Sequence, residues 1–332
     1  MSNRSRRQFF TDAGKALGGL AMINAVPRWA FATRQPLSDL VHRSSWAMGT
    51  PVRLSLLERE FTSAAADGAF RRLQDVDTLL TVHNDSSQLM QVNRNPGTWV
   101  SGNELADVTR AALQFGSLSD GAMDVTVLPA LRRFGFAPGT AAASDLIDFT
   151  RMDVMGQRVR VRSAGIGADF GGIAKGYGVD QAILAARSAG ASAALIDAGG
   201  DLYAMGRPDA DRPWKIGIRH PERAEALVAT LEVENEAVAT SGTYMQKRVV
   251  DGKEVSHLMD PRTGQPVHHV ISATIVARDT MTADALATAV SVMDRKAGQS
   301  LIERQIGVEG FLIYEDGTSF TSTGLNHRLK LL

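Results

Sequence analysis

Hydrophobic patterning in this chain switches repeatedly between a period of two and a period near 3.6, with no fixed order. A strand is expected from Trp46 to Leu56, headed by Met48-Gly49-Thr50-Pro51. Ser63 to Leu80 has helical spacing, with Phe70, Leu73, Val76 and Leu80 on one face. A helix from Glu104 to Ser117, short strands within Asp145 to Ser163, and a turn running into a helix over Asp169 to Ala189 follow. Buried strands are expected at Ala193 to Ile196, Trp214 to Ile218, Leu227 to Val233 and Ser272 to Ala277. Helices then cover Thr282 to Met293 and Lys296 to Gln305, and a closing hairpin pairs Phe311 to Tyr314 with Ser319 to Thr321 around Asp316-Gly317. A doubly wound sheet needs strict alternation of strand and helix. This mixture predicts an α+β fold, one domain with mixed sheets and packed helices.

The 332 residues are 44% hydrophobic and 22% charged, enough apolar material for a substantial core. A formal net charge of +0 excludes a polybasic nucleic-acid binder. The absence of cysteine excludes disulfides, thiolate metal sites, a cysteine nucleophile and a lipidated cysteine anchor.

Residues 1–32 read as an export signal, separate from a domain over 33–332. Ser5-Arg6-Arg7-Gln8-Phe9-Phe10 is a basic start of twin-arginine type, Ala16 to Val26 a mildly apolar middle, and Ala30-Phe31-Ala32 a small-x-small cleavage site. The apolar stretch is too short and too glycine-rich to span a bilayer, so a periplasmic protein with no transmembrane segment in its mature chain is expected. Cleavage after Ala32 removes five basic residues and one acid from the 36 of each, leaving a formal charge of about −4.

Three segments carry most of the chemistry. In Asp169-Phe170-Gly171-Gly172-Ile173-Ala174-Lys175-Gly176, paired glycines precede a helix start, where free N–H groups favour an anion and Lys175 adds a point charge for a phosphate. The segment is not a Walker A loop, the nearby Gly165-Ile166-Gly167 does not make a dinucleotide fingerprint, and a tight turn without ligand is an equal reading. In Thr282-Ala283-Asp284-Ala285-Leu286-Ala287-Thr288, Asp284 and Thr288 project from one helix face and offer hard oxygen donors suited to magnesium. The alternative makes Asp284 a first-turn acid favoured by the helix dipole and Thr288 a hydroxyl bonded to its own helix. Third, His257 precedes the turn Asp260-Pro261-Arg262-Thr263-Gly264, placed to titrate near neutrality if it faces a cleft. Smaller segments are Gly121-Ala122-Met123-Asp124-Val125-Thr126, Gly199-Gly200-Asp201 and Thr240 to Tyr244.

In their joint order, from Met48-Gly49-Thr50 through Ala283 to Met293, these segments resemble the ApbE family of FAD:protein FMN transferases. The resemblance implies a single α+β protein holding FAD beside Mg²⁺. By that resemblance Met48, Ala122, Met123, Asp124, Asp169, Lys175 and His257 line the FAD site, while Asp284 and Thr288 bind the metal by side chain and Gly172 by its carbonyl. Asp284 and His257 are the expected catalytic residues, with His257 or an aspartate taking the proton of an attacking hydroxyl. Where the family commonly has a tyrosine, this chain has His83 in Thr81-Val82-His83-Asn84, so flavin contact there would be less extensive or polar. The implied partner is a flavin-acceptor protein, a periplasm-facing redox subunit. FAD hydrolysis to FMN and AMP shares every one of these motifs, whereas a non-catalytic flavin carrier, the third reading, would not need the Asp284/Thr288 pair.

Overall fold

The computed structural model describes residues 40–57, 60, 63–140, 146–209, 211–223 and 225–332. The export-signal segment, residues 1–32, lies outside the described residues.

The chain opens with a hairpin, β1 (Leu40–Ala47) and β2 (Thr50–Leu57). This replaces the single strand expected from Trp46. Met48 and Gly49 have φ of +54° and +71°, the two left-handed residues of a tight hairpin turn. Helices α1 (Ser63–Leu80) and α2 (Gln88–Arg94) follow, then β3 (Val100–Ser101), α3 (Asn103–Leu118) and α4 (Leu128–Arg133). Next come β4 (Met152–Met155), β5 (Arg158–Val161) and α5 (Ala174–Ser188). Strands β6 (Ala194–Ala198), β7 (Asp201–Met205), β8 (Trp214–Arg219), β9 (Leu227–Val233) and β10 (Glu236–Gly242) form the middle of the chain. Two small hairpins, β11 (Lys247–Val250) with β12 (Lys253–Ser256) and β13 (Met259–Asp260) with β14 (Gln265–Pro266), bracket His257. The C-terminal part holds β15 (Val270–Ala277), α6 (Thr280–Val292), α7 (Arg295–Arg304), β16 (Glu309–Tyr314), β17 (Ser319–Thr321) and β18 (Leu329–Leu331).

The frame is an eight-stranded sheet in the order β1-β2-β6-β7-β10-β15-β16-β17, antiparallel at every step. Its strands are apolar on both faces because both are covered. Ala194 and Ile196 pack with α1 and α5, while Leu195 points to the other side with Trp214 and Ile216 of β8. Likewise Ile275 and Ala277 meet α6, and Val276 joins the β8 side. The three-stranded sheet β18-β9-β8 thus covers one face and the helices the other. A separate cluster of α2, α3, β4 and β5 packs on Phe170, Ile173 and Ala174 and fixes the turn ahead of α5. The α+β expectation holds.

Helices α5 and α6 meet at their N-terminal ends, and this contact positions the site. At Gly176 an added Cβ would stand 2.3 Å from the Thr280 carbonyl oxygen, so only glycine admits the approach. Asp180, one turn further along α5, accepts from the Thr280 and Met281 amides at 2.7 and 2.9 Å. It satisfies two of the amides that a helix start leaves unpaired. Burial of this carboxyl pushes its pKa up to about 6.

Candidate active site

Asp284 projects from α6 toward the start of α5 and is 2% exposed. Its Oδ2 accepts from the Gly176 amide at 3.0 Å, and its Oδ1 lies 3.5 Å from the Lys175 ammonium. The anion drawn to the α5 N-terminus is therefore this carboxylate. Two neighbouring amides are engaged within the turn itself: Ala174 donates to the Phe170 carbonyl at 2.8 Å, and Gly171 to Asp169 at 2.8 Å. The dipole-cap alternative for Asp284 is also displaced. The helix begins at Thr280, its N-cap is Asp279, and Asp284 sits in the second turn.

Lys175 donates to Asp201 as well, so one ammonium lies between two carboxylates that are each 2% exposed. Burial opposes its charge, but Asp201 and Asp284 outweigh that and hold its pKa above the ordinary lysine value. Burial, reinforced by Asp201, pushes Asp284 up to about 7 despite the pull of Lys175. Asp201 opens β7 directly after Gly199 and Gly200, whose φ values of +68° and +104° make the tight β6–β7 turn. Sequence reading placed Asp201 in a turn and not in the site. The available signal was a carboxylate heading a strand buried along its length, which requires a partner.

Thr288, one turn along from Asp284, directs its hydroxyl away from its own helix. It lies 3.5 Å from the Gly172 carbonyl oxygen and 3.5 Å from Ser241 Oγ at the end of β10. A Cβ at Gly172 would stand 2.8 Å from Thr288 Oγ1 and fill that space. One carboxylate, one hydroxyl and one main-chain carbonyl are hard oxygen donors, and magnesium takes few protein ligands of this kind. The residues present therefore fit such an ion, and Lys175 marks a place beside Asp284 where positive charge is held. Among the described residues no group of three or more His, Cys, Asp or Glu side chains is placed to hold a metal.

His257 is half-buried between the two small hairpins. Its Nδ1 is 3.4 Å from the Gln246 carbonyl, and its ring centroid is 6.3 Å from that of Phe136. Burial lowers its pKa to about 4; the Gln246 carbonyl opposes this and the Lys175 charge reinforces it. The imidazole is thus neutral near pH 7, in the form able to accept a proton. Asp169 donates its amide to the Val125 carbonyl at 2.7 Å, tying the glycine turn to the Ala122–Thr126 loop. Its carboxyl is raised by burial, with His83 and Arg132 near enough to oppose that shift. His83 is exposed and presents an imidazole to solvent on the Asp169 side.

The remaining expected residues are each tied into the surrounding fold. Asp124 is 7% exposed and uses one oxygen within its loop and the other to hold the Phe149 segment. It accepts from the Thr126 amide at 2.7 Å, the Thr126 hydroxyl at 2.6 Å and the Phe149 amide at 3.0 Å. Ala122 packs with Leu258 and Val267, placing this loop against the His257 segment, and Met123 joins the α2–α3 cluster. Met48 is held by Asp77, which accepts its amide at 2.8 Å, and its sulfur would be 2.7 Å from a Cβ at Gly178. A recess of about 670 Å³ over α3 and β4 includes none of these residues. The charged cluster lies apart from it, where α5 and α6 meet.

An antiparallel sheet backed by helices, with an Asp–Lys–Asp cluster under a glycine turn, defines an α+β protein with a buried charge cluster where two helices meet. The family model for the ApbE family matches residues 48–312, and the chain belongs to that family. It is 29% identical over 294 residues to the FAD:protein FMN transferase of Salmonella typhimurium, covering 82% of this chain and 84% of that one. The crystal structure of the ApbE protein from Thermotoga maritima superposes with a TM-score of 0.80 at 30% identity, covering 87% of this chain and 99% of the other. The flavin transferase ApbE from Vibrio cholerae superposes with a TM-score of 0.76 at 26% identity, over 87% and 99% of the two chains.

Proposed function

We propose that the protein is an FAD:protein FMN transferase that uses Mg²⁺ to move the FMN half of FAD onto a serine or threonine hydroxyl of a partner protein, releasing AMP. The observation that carries this reading is Asp284, buried at the α5–α6 junction, with Lys175 on one oxygen and Thr288 and the Gly172 carbonyl one turn away. Asp284, Thr288 and the Gly172 carbonyl would hold the metal. Bound magnesium would neutralise charge on the pyrophosphate as its phosphorus is attacked. Lys175 adds a fixed positive charge beside the same anion. His257, neutral at working pH, accepts the proton of the acceptor hydroxyl as the new phosphorus–oxygen bond forms and the bond to AMP breaks. Met48, Asp169, His83 and the Ala122–Asp124 turn line the flavin side of the cleft.

The test mixes purified protein, FAD, Mg²⁺ and a flavin-acceptor domain, then measures acceptor mass and in-gel flavin fluorescence. Covalent FMN on the acceptor supports transfer. Free FMN with an unlabelled acceptor supports FAD hydrolysis, and unchanged FAD supports a carrier. The twin-arginine pattern at Arg6-Arg7 supports export and a periplasm-facing redox subunit as acceptor. Retention of an Arg6→Lys, Arg7→Lys variant in the cytoplasm, with the parent in the periplasm, is the expected result.

A further inference from the structure

We infer that Asp201 is a positioning residue that sets the charge of the cation site, holding Lys175 so that the ammonium and a divalent cation can share Asp284. The inference rests on the reading of Asp284 as the metal's side-chain ligand. Three observations carry it. Lys175 is shared between two carboxylates on different elements, Asp201 on β7 and Asp284 on α6. Both carboxylates are almost fully buried, so their charges act at short range with little screening by solvent. The hydrogen bonds also divide the work: Asp284 is anchored independently by the Gly176 amide, whereas the side-chain hydrogen bond of Asp201 goes to Lys175.

Counting formal charges, Asp201, Lys175 and Asp284 sum to −1, and one divalent cation brings the cluster to +1, suited to a pyrophosphate. Without Asp201 the remaining pair is neutral, and Lys175 falls back on Asp284 as its sole counter-charge. The ammonium and the incoming metal then compete for one carboxylate. Without both Asp201 and Lys175, Asp284 alone restores −1. The geometry therefore predicts an order of cation affinity that packing alone would not produce.

The experiment is Mg²⁺ titration by calorimetry at pH 8, with flavin fluorescence following FAD binding in parallel, on four forms of the full protein. These are the parent, Asp201→Asn, Lys175→Met and the double variant. Asp201→Asn is expected to bind Mg²⁺ roughly tenfold or more weakly than the parent, since one buried counter-charge is lost. The double variant is expected to return to within about threefold of the parent. It removes the Asp201–Lys175 ion pair as a unit and leaves Asp284 its Gly176 amide and the parent's formal charge of −1, which keeps the test open if Asp201→Asn folds poorly. Equal affinity of Asp201→Asn and parent overturns the inference, as does a double variant weaker than Asp201→Asn. A parent that binds no Mg²⁺ at all overturns both the inference and the metal reading beneath it.

Discussion

Asp124 and Asp284 are both buried carboxylates whose pKa values are raised first by desolvation, yet their surroundings differ in kind. Asp124 accepts three main-chain and hydroxyl hydrogen bonds, two from Thr126 in its own loop and one from the Phe149 amide of a separate segment. Asp284 has one amide on one oxygen and a 3.5 Å contact to a shared ammonium on the other. Burial alone does not mark a working residue. What separates the two is unspent coordination: one carboxylate closes a loop, and the other faces a cluster in which charge remains to be balanced.

The largest expected effect breaks this comparison at Asp284. Asp284→Ala should reduce FMN transfer by at least about a thousandfold, because metal-assisted charge neutralisation is worth several kcal/mol and each 1.4 kcal/mol is tenfold. The melting temperature in the absence of metal should hold or rise, since a costly buried charge is removed with it. A variant that still turned over FAD with Mg²⁺ present would sink the metal assignment. The Asp124→Ala variant should behave in the opposite way. Three donors lose their acceptor, so unfolding free energy should fall by about 3 kcal/mol, read by urea denaturation. Mg²⁺ affinity of the folded fraction should stay within about threefold of the parent.

A third prediction sharpens the comparison through pH. The Asp284 pKa is raised to about 7 in the metal-free fold, above its ordinary value of 3.8. Between those values the folded state binds more protons than the unfolded state, so this group's contribution to stability declines as pH rises from about 4 to 7. Magnesium needs the ionised carboxylate and competes with that proton. Its stabilisation should therefore grow with pH, with affinity rising up to roughly tenfold per unit below pH 7 and levelling above it. Thermal melts with and without Mg²⁺ at pH 5.5 and 8 measure this directly. An equal gain at both values would mean the cation binds elsewhere.

Much of the frame was legible because one physical signal dominated each element. Ser63 to Leu80 has one apolar face, and the helix spans those residues; Leu227 to Val233 is likewise a strand from end to end. The first hairpin was not legible. Its turn places a methionine in the left-handed region, where asparagine, aspartate or glycine is the usual signal. Helix α2, only seven residues long, and β7, read as part of a turn, also escaped, since short elements carry too few residues to show a period. In the site, the shared helix face of Asp284 and Thr288 was legible from their spacing, and Thr288 does reach the Gly172 carbonyl. Asp201 and Ser241 did not declare themselves, because their roles arise from contacts between elements far apart in sequence.

The smallest expected effect concerns His83, at the rim of the cleft. Buried carboxylates set the charge of the site, but His83 is exposed and faces the Asp169 side. If a flavin edge lies there, an aromatic ring of larger area should hold it better by stacking. His83→Tyr should then tighten FAD binding by about three- to tenfold, the range of one added aromatic contact. Maximal rate with saturating FAD should change less than affinity, since an exposed rim contact acts on ground state and transition state alike. Fluorescence titration of FAD and a KM-against-kcat comparison separate these outcomes. An unchanged affinity would place the flavin away from His83 and move the ligand-lining role to the Met48 and Asp169 side of the cleft.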